Sequence, residues 1–288
     1  MDLSVVILNW KVKELLRQCL ISVYRETSDI DFEVIVVDND SRDGSAEMVA
    51  REFPQARLIV NDRNVGFAAG NNVGIKVASG EFVLLLNPDT ELRENVLAKL
   101  VAVMRANPDV AVCGPTLLNA DGSLQSSVRR FPTPSSQALV MLKLHNIFPR
   151  LKPVREYFAS GFDYLASSSV DQVMGAAFMV RRTAFDELGL LDERFFIWFE
   201  EVDFCKRAID AGHDVMYTPE THIIHYGGES FGQVFGPKKQ HYLNSSLLKY
   251  MRKHFGLAAT VALALLYPLS IALAWVAEFF GLSGTGRR

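Results

Sequence analysis

The chain reads as an α/β protein built on a mostly parallel sheet flanked by helices, and three observations predict this. Short apolar runs at residues 5–8, 34–37, 58–60, 82–86 and 110–112 have the length and composition of strands buried on both faces. Between some of them, apolar residues recur three and four apart, the pattern of a helix laying one face on a sheet. Polar clusters follow the strand-like runs, at the carboxyl edge where open α/β sheets bind ligands.

Taken in order, Val5-Val6-Ile7-Leu8 is preceded by Asp2 and is too short for a secretory leader, so it reads as a first strand ending at Asn9-Trp10. Leu15, Leu16, Cys19, Leu20 and Val23 then share one helical face. The second run leads into Asp38-Asn39-Asp40-Ser41-Arg42-Asp43-Gly44-Ser45. Asp38, at the mouth of a buried strand, is placed to accept from a nucleobase or a sugar hydroxyl. Asp43-Gly44-Ser45 reads as a turn with Ser45 as a helix N-cap. After the third run comes Asn64-Val65-Gly66-Phe67-Ala68-Ala69-Gly70-Asn71-Asn72, which is not a GxGxxG fingerprint. Its small residues serve either a ligand approaching the backbone or close helix packing.

The fourth run passes straight into Asn87-Pro88-Asp89. A carboxylate there is either a turn residue or an oxygen ligand for a hard divalent cation. Val96, Leu97, Leu100, Val101 and Met104 form the next helical face. Residues 129–170 change character, with Arg129, Arg130, Lys143, Arg150, Lys152 and Arg155 against only Glu156 and Asp163. This predicts a basic loop or loosely helical insertion, either solvated or facing an acceptor or a membrane. The core pattern resumes at Gln172.

The densest polar cluster follows the aromatic residues Phe195, Phe196, Trp198 and Phe199 and comprises Glu200, Glu201 and Asp203. Neighbouring glutamates on a helix point in different directions, so one can orient while the other, in a partly apolar setting, acts as a general base. The bland alternative is an acidic helix start that complements the macrodipole. His222 and His225 flank an apolar pair ahead of Gly227-Gly228-Glu229-Ser230, and His225 is a candidate for a metal or phosphate site.

The formal charge of −3 over 288 residues conceals a division. Residues 1–229 carry a net −9 and residues 230–288 a net +6. An acidic body argues against general nucleic-acid binding, and a basic end suits an anionic surface. That end is also apolar: residues 257–277 form a 21-residue stretch without a charge, approaching the ~20 needed to span a bilayer. Lys249, Arg252 and Lys253 precede it, whereas Pro268 and Ser270 interrupt it, which leaves a kinked or re-entrant hairpin beside a straight span. Basic residues before the stretch favour a cytoplasmic body. Cys19, Cys113 and Cys205 form no CxxC pair, which argues against a zinc ribbon and fits a reducing compartment.

Read together, Val5-Val6-Ile7-Leu8-Asn9-Trp10, Val36-Val37-Asp38-Asn39-Asp40-Ser41, the 64–72 segment, Leu85-Leu86-Asn87-Pro88-Asp89, Gly175-Ala176-Ala177-Phe178, Phe199-Glu200-Glu201-Val202-Asp203 and His225-Tyr226-Gly227-Gly228-Glu229-Ser230 resemble the inverting family 2 glycosyltransferases of the GT-A fold. The likeness covers roughly residues 3–230 and is strongest to the bacterial rhamnosyltransferase branch that builds cell-surface polysaccharides; Arg129-Arg130-Phe131-Pro132-Thr133-Pro134 also looks like that branch. It implies a GT-A domain over 1–230 (with 129–170 as an acceptor-side insertion), a basic juxtamembrane helix over 231–256 and a membrane-associated segment over 257–288.

The resemblance further implies that Asp38 binds the nucleobase with Asn9 nearby, and that Asn39, Asn64, Gly66, Asn71, Asn87, Gly175 and Asp203 belong to the substrate site. Asp89, with His225, would hold Mg²⁺ or Mn²⁺ on the donor diphosphate. Glu201 stands at the catalytic-base position, with Glu200 as its rival. Two departures are visible: Asn87 replaces the first carboxylate of the DxD-type motif, and the base is Glu where Asp is common. The implied donor is dTDP-rhamnose or a UDP-linked sugar, the acceptor a saccharide or polyprenyl-linked saccharide, and the place of action the cytoplasmic face of the cell membrane. Competing classes are a sugar-phosphate nucleotidyltransferase, for which no Gly-rich triphosphate loop with a Lys stands near the N-terminus, and a non-catalytic polysaccharide-assembly subunit.

Overall fold

In the computed structural model, which describes residues 1–228 and 232–280, all five apolar runs are strands. The strands are β1 (Leu3–Asn9), β2 (Phe32–Asp38), β3 (Arg57–Val60), β4 (Phe82–Leu86), β5 (Thr90–Glu91), β6 (Val110–Leu118), β7 (Leu124–Gln125), β8 (Val128–Arg129), β9 (Ser168–Ser169), β10 (Gln172–Val173), β11 (Ala177–Arg181) and β12 (Asp214–His225). The helices are α1 (Lys13–Glu26), α2 (Ser45–Glu52), α3 (Phe67–Ile75), α4 (Val96–Ala106), α5 (Pro134–Met141), α6 (Leu144–Ile147), α7 (Lys152–Tyr157), α8 (Arg182–Leu188), α9 (Glu200–Asp210), α10 (Gly236–His254), α11 (Gly256–Ala264) and α12 (Tyr267–Phe279).

The main sheet has the order β3-β2-β1-β4-β11-β6-β12-β5. Strands β3, β2, β1 and β4 are parallel, and β6 pairs in parallel with β12. Strand β11 is inverted between β4 and β6, and the short β5 runs against β12. The inversion matters for function. Ala177 lies opposite Leu86, so the residues entering β11 meet those leaving β4, and Asn87 N–H donates to the Ala176 carbonyl at 2.9 Å.

Alternation along β1 divides the core. Val5 and Ile7 face a layer with Leu16, Leu20, Met48, Leu97 and Leu100 from α1, α2 and α4. Val6 and Leu8 face Ala68, Ile75, Phe185, Phe204 and Cys205 from α3, α8 and α9. Helix α3 lies tight on β1. A Cβ at Gly70 would stand 2.5 Å from Leu8 Cδ1, and one at Gly74 2.4 Å from Val6 Cγ1, so close packing accounts for both glycines. Ser45 is not the N-cap of α2. Gly44 occupies that position at φ +83°, and Asp43 Oδ1 accepts from Ser45 N at 3.0 Å, because the carboxylate two residues back reaches the helix start first.

The 129–170 insertion contains α5, α6 and α7. Helix α5 begins at a reciprocal Thr133–Ser136 capping box with Pro134 inside it. A third apolar cluster joins Met141 of this insertion to Phe195, Phe199 and Val202, and to Leu247, Tyr250, Met251 and Leu263 of α10 and α11. The basic helix after the body starts at Gly236, and the apolar stretch becomes α11 and α12. Among the described residues no single helix is long and apolar enough to cross a membrane; α11 and α12 pass together but are bent by 41°. Pro268, in the first turn of α12, cannot continue the hydrogen-bond ladder of a single helix. The end of the 257–288 segment and Glu229-Ser230 lie outside the described residues.

Candidate active site

A cavity of about 260 Å³ opens where the carboxyl ends of β1, β2 and β4, the start of β11 and the end of β12 converge. Of the residues predicted for the site, Asn39, Asn64, Gly66, Asn87, Asp89, Gly175, Glu200, Glu201 and His225 line it. Chain positions as distant as Asn39 and His225 meet because strand ends, rather than one motif, build the wall.

Asn39 organises the loop ahead of α3. Its side-chain amide donates to Asn64 Oδ1 at 2.9 Å, and its own carbonyl oxygen accepts from Val65 N at 3.1 Å. Asn64 Oδ1 also accepts from Gly66 N at 2.9 Å. Gly66 has φ +91°, and a Cβ there would lie 2.5 Å from the Phe196 carbonyl oxygen. That same oxygen accepts from Phe67 N at 2.6 Å, tying this loop to the aromatic segment before α9. Only glycine fits both the conformation and the contact.

Four predicted residues do not line the cavity, each for a visible reason. Asn9 and Asp38 are adjacent in register and buried; Asn9 Nδ2 donates to Asp38 Oδ2 at 2.8 Å, while Asp38 Oδ1 accepts from Ser41 N at 2.9 Å. They brace the turn behind the cavity wall. Asn71 is buried in α3 and donates to the Phe67 carbonyl at 3.0 Å. Asp203, fully buried on α9, takes Arg207 Nε at 2.9 Å, Lys253 Nζ at 2.7 Å and His254 Nε2 at 2.8 Å. Burial raises its pKa, but the hydrogen bonds from His254 and Lys253 and the charge of Arg207 hold it below the ordinary carboxylate value.

Glu200 and Glu201 open α9 after two residues in left-handed conformation, Trp198 at φ +63° and Phe199 at φ +73°. Non-glycine residues rarely adopt this conformation, and strain of this kind concentrates at functional sites. The double turn brings Trp198 and both glutamates to the cavity lining. One oxygen of each, Oε2, is buried and has no hydrogen-bond partner among the described residues. Burial pushes the pKa of both upward, and for Glu200 the adjacent charge of Glu201 adds to the effect. Glu201 packs beside Gly175, where a Cβ would lie 3.6 Å from its Cγ. Space next to this carboxylate therefore depends on a residue without a side chain.

Asp89 and His225 form the other pole. His225 Nε2 stands 3.4 Å from Asp89 Oδ1, and both side chains are buried. Among the described residues Nε2 has no hydrogen-bond partner, although His225 Nδ1 is 2.7 Å from Gln125 Oε1. An amide oxygen only accepts, so Nδ1 carries a proton, and in the neutral imidazole the Nε2 lone pair then faces a carboxylate. Two acceptors facing each other in a buried site suit a cation between them. No group of three or more His, Cys, Asp or Glu side chains suited to a metal exists among the described residues. The pair therefore fits an ion that completes its shell from phosphate oxygens and water, as Mg²⁺ commonly does.

Trp10, Phe67, Phe196 and Trp198 add aromatic surface to the cavity. Phe196 stacks on Tyr242 of α10 at 4.9 Å between ring centroids. Trp10 follows the first strand directly, and the aromatic run was visible before the glutamates. Gln125 carried no signal, since it lies in a two-residue strand outside every motif.

Residues 4–189 match the family model for glycosyl transferase family 2. The chain belongs to glycosyl transferase family 2. Relatives of this family 2 chain include the low-salt glycan biosynthesis hexosyltransferase of Haloferax volcanii, 28% identical over 211 residues, which are 72% of this chain and 61% of the relative. The N-acetylglucosaminyl-diphospho-decaprenol L-rhamnosyltransferase of Mycobacterium tuberculosis is 27% identical over 215 residues, 69% of this chain and 68% of the relative. The chain thus spans about two thirds of the length of these two relatives. Among solved structures, a mannosyltransferase of Pyrobaculum calidifontis in complex with GDP-Man and Mn²⁺ superposes with a TM-score of 0.57 at 17% identity, covering 99% of this chain and 76% of that one. The likeness establishes a shared GT-A-like fold for this family 2 member.

Proposed function

We propose that the chain is a metal-dependent inverting glycosyltransferase that moves a sugar, with rhamnose from dTDP-rhamnose the favoured case, from a nucleoside-diphosphate donor to a saccharide or polyprenyl-linked saccharide. One observation carries the reading: a single cavity holds a cation-ready Asp89–His225 pair and the Glu200–Glu201 carboxylates, with Gly175 keeping the space beside Glu201 open. The rhamnosyltransferase and hexosyltransferase relatives support the sugar class, and the decaprenol in the name of the Mycobacterium relative supports a lipid-linked acceptor. The Mn²⁺ and GDP-Man in the Pyrobaculum complex support a divalent ion, Mg²⁺ or Mn²⁺, with a nucleotide sugar.

Asp89 and His225 would hold the ion, which supplies positive charge to the diphosphate leaving group. Glu201 takes the proton of the acceptor hydroxyl; the freed oxygen attacks the anomeric carbon, and the sugar–phosphate bond breaks with its electron pair leaving on the diphosphate. Glu200, more deeply buried and beside the charge of Glu201, resists ionisation, which favours Glu201 as the carboxylate that carries the negative charge. Trp10, Phe196 and Trp198 offer apolar faces against which sugar rings pack. At the whole-molecule scale, α11, α12 and the break between them expose Leu257, Val261, Leu265, Leu269, Trp275 and Phe279, while Lys249, Arg252 and Lys253 precede them. These features support membrane association with the body on the cytoplasmic face.

Nucleoside-diphosphate release from a panel of nucleotide sugars, with and without Mn²⁺, tests the reading. Slow metal-dependent hydrolysis of dTDP-rhamnose, accelerated by a saccharide acceptor, is the expected result. Preference for a UDP-hexose would overturn the rhamnose assignment. Pyrophosphate formation from a sugar phosphate and a nucleoside triphosphate would indicate a nucleotidyltransferase, and inertness toward every donor a non-catalytic subunit.

A further inference from the structure

The hairpin joining β6 to β7 lies outside every motif recognised in the sequence, yet a chain of hydrogen bonds leads from it to His225. His225 Nδ1 donates to Gln125 Oε1 at 2.7 Å, and Gln125 Nε2 donates to Asn119 Oδ1 at 3.0 Å. Asn119 Nδ2 donates to Ser123 Oγ at 2.9 Å, and Ser123 Oγ–H donates to Asp121 Oδ1 at 2.6 Å. Every bond runs in the same direction because an ionised carboxylate at the end can only accept. Asp121 is suited to that end: the Ser123 hydroxyl and backbone N–H hold its pKa below the ordinary carboxylate value. The hairpin itself is closed by Asn119 N to Ser123 O at 2.8 Å and by Gly122 N to Asn119 O at 2.9 Å.

We propose that Gln125 is a positioning residue for the Asp89–His225 cation site: with Asn119, Ser123 and Asp121 it forms a one-way relay that fixes the imidazole as its Nδ1–H tautomer and turns the Nε2 lone pair toward Asp89. The proposal rests on the metal-dependent reading given above. The relay works from the side opposite the ion. A ligating imidazole is oriented by the partner of its other nitrogen, and loss of such a partner typically weakens metal binding about 10–100-fold. Gln125 is suited to this because its amide oxygen takes the imidazole proton while its amide nitrogen is held by Asn119. Flipping the amide would turn two N–H donors toward an N–H and leave Asn119 Oδ1 facing an oxygen.

Two measurements separate the relay from the metal site it serves. Nitrogen-15 NMR of the imidazoles in metal-free protein, assigned with His225→Gln, reads the tautomer directly. The relay requires an Nδ1–H, Nε2-lone-pair imidazole in the wild type and in Gln125→Glu, whose carboxylate still accepts, and loss of that preference in Gln125→Leu. Mn²⁺ titration in the presence of dTDP or UDP, followed by electron paramagnetic resonance, should give about 10–100-fold weaker binding for Gln125→Leu, with recovery in Gln125→Glu. A wild-type His225 carrying its proton on Nε2 would overturn the proposal, as would unchanged Mn²⁺ affinity in a folded Gln125→Leu protein. Failure of the wild type to bind Mn²⁺ with either nucleotide, while the tautomer is as described, would instead refute the metal-dependent reading.

Discussion

Two carboxylates on consecutive residues share a helix start, and their surroundings differ. Glu200 is almost wholly buried, so both desolvation and the neighbouring charge oppose its ionisation. Glu201 is raised by burial as well, but it is half-buried and the positive charge of Arg129 pulls in the other direction. A group whose folded pKa exceeds its unfolded value contributes stability below the unfolded pKa, here near the ordinary 4.5, and that contribution is lost as pH rises through the folded value. Glu200→Gln therefore removes a charge-burial penalty that grows with pH. Thermal unfolding across the neutral range should show the wild type losing stability relative to this variant as pH rises; parallel curves would mean that Glu200 is not protonated in the fold. The acidic motif was legible in the sequence because aromatic residues lead into it. The division of labour was not, since it depends on which oxygen each carboxylate buries.

Helix α9 joins the candidate site to the architecture. Its first residues face the cavity, while Asp203, one turn on, is clamped by Arg207 from its own helix and by Lys253 and His254 from α10. Arg207 also donates to the Leu188 and Leu190 carbonyls at 2.6 and 2.8 Å, fixing the loop before the aromatic segment. Removing one partner of a buried ionic cluster leaves the others uncompensated, so Asp203→Ala should cost about 3–5 kcal/mol in chemical denaturation. A loss within surface-substitution range would mean that the clamp is dispensable. Sequence reasoning assigned Asp203 to substrate because it shares a motif with the glutamates. Helical geometry turns it to another face, and two of its partners, Lys253 and His254, lie about fifty residues away on an element with no motif of its own. The parallel strands and the helices over 13–26 and 96–106 were legible from apolar periodicity. The inversion of β11 was not, because a buried five-residue run has the same composition in either direction.

Across the whole molecule, the acidic body and basic, apolar end belong to one continuous structure. Helix α10 carries the basic residues, packs against the segment that bears Glu200 and Glu201 through Tyr250 and Leu247, and supports α11 and α12. Leu265 is 76% and Phe279 85% exposed, which leaves a substantial apolar surface next to a cationic helix. The proposed membrane association assigns this surface to an anionic bilayer. Flotation with phosphatidylglycerol vesicles should recover the wild type, whereas Leu265→Glu with Phe279→Glu should release it several-fold while leaving solution turnover of a soluble acceptor intact. Equal flotation of both proteins would assign the apolar surface to another partner. Turnover of the Glu201→Gln variant tests the catalytic assignment most directly. Transfer should fall by about 10²–10⁴-fold while Mn²⁺-dependent nucleotide binding stays at the wild-type level. Near-normal turnover with binding intact would contradict it and remove Glu201 from the role of base.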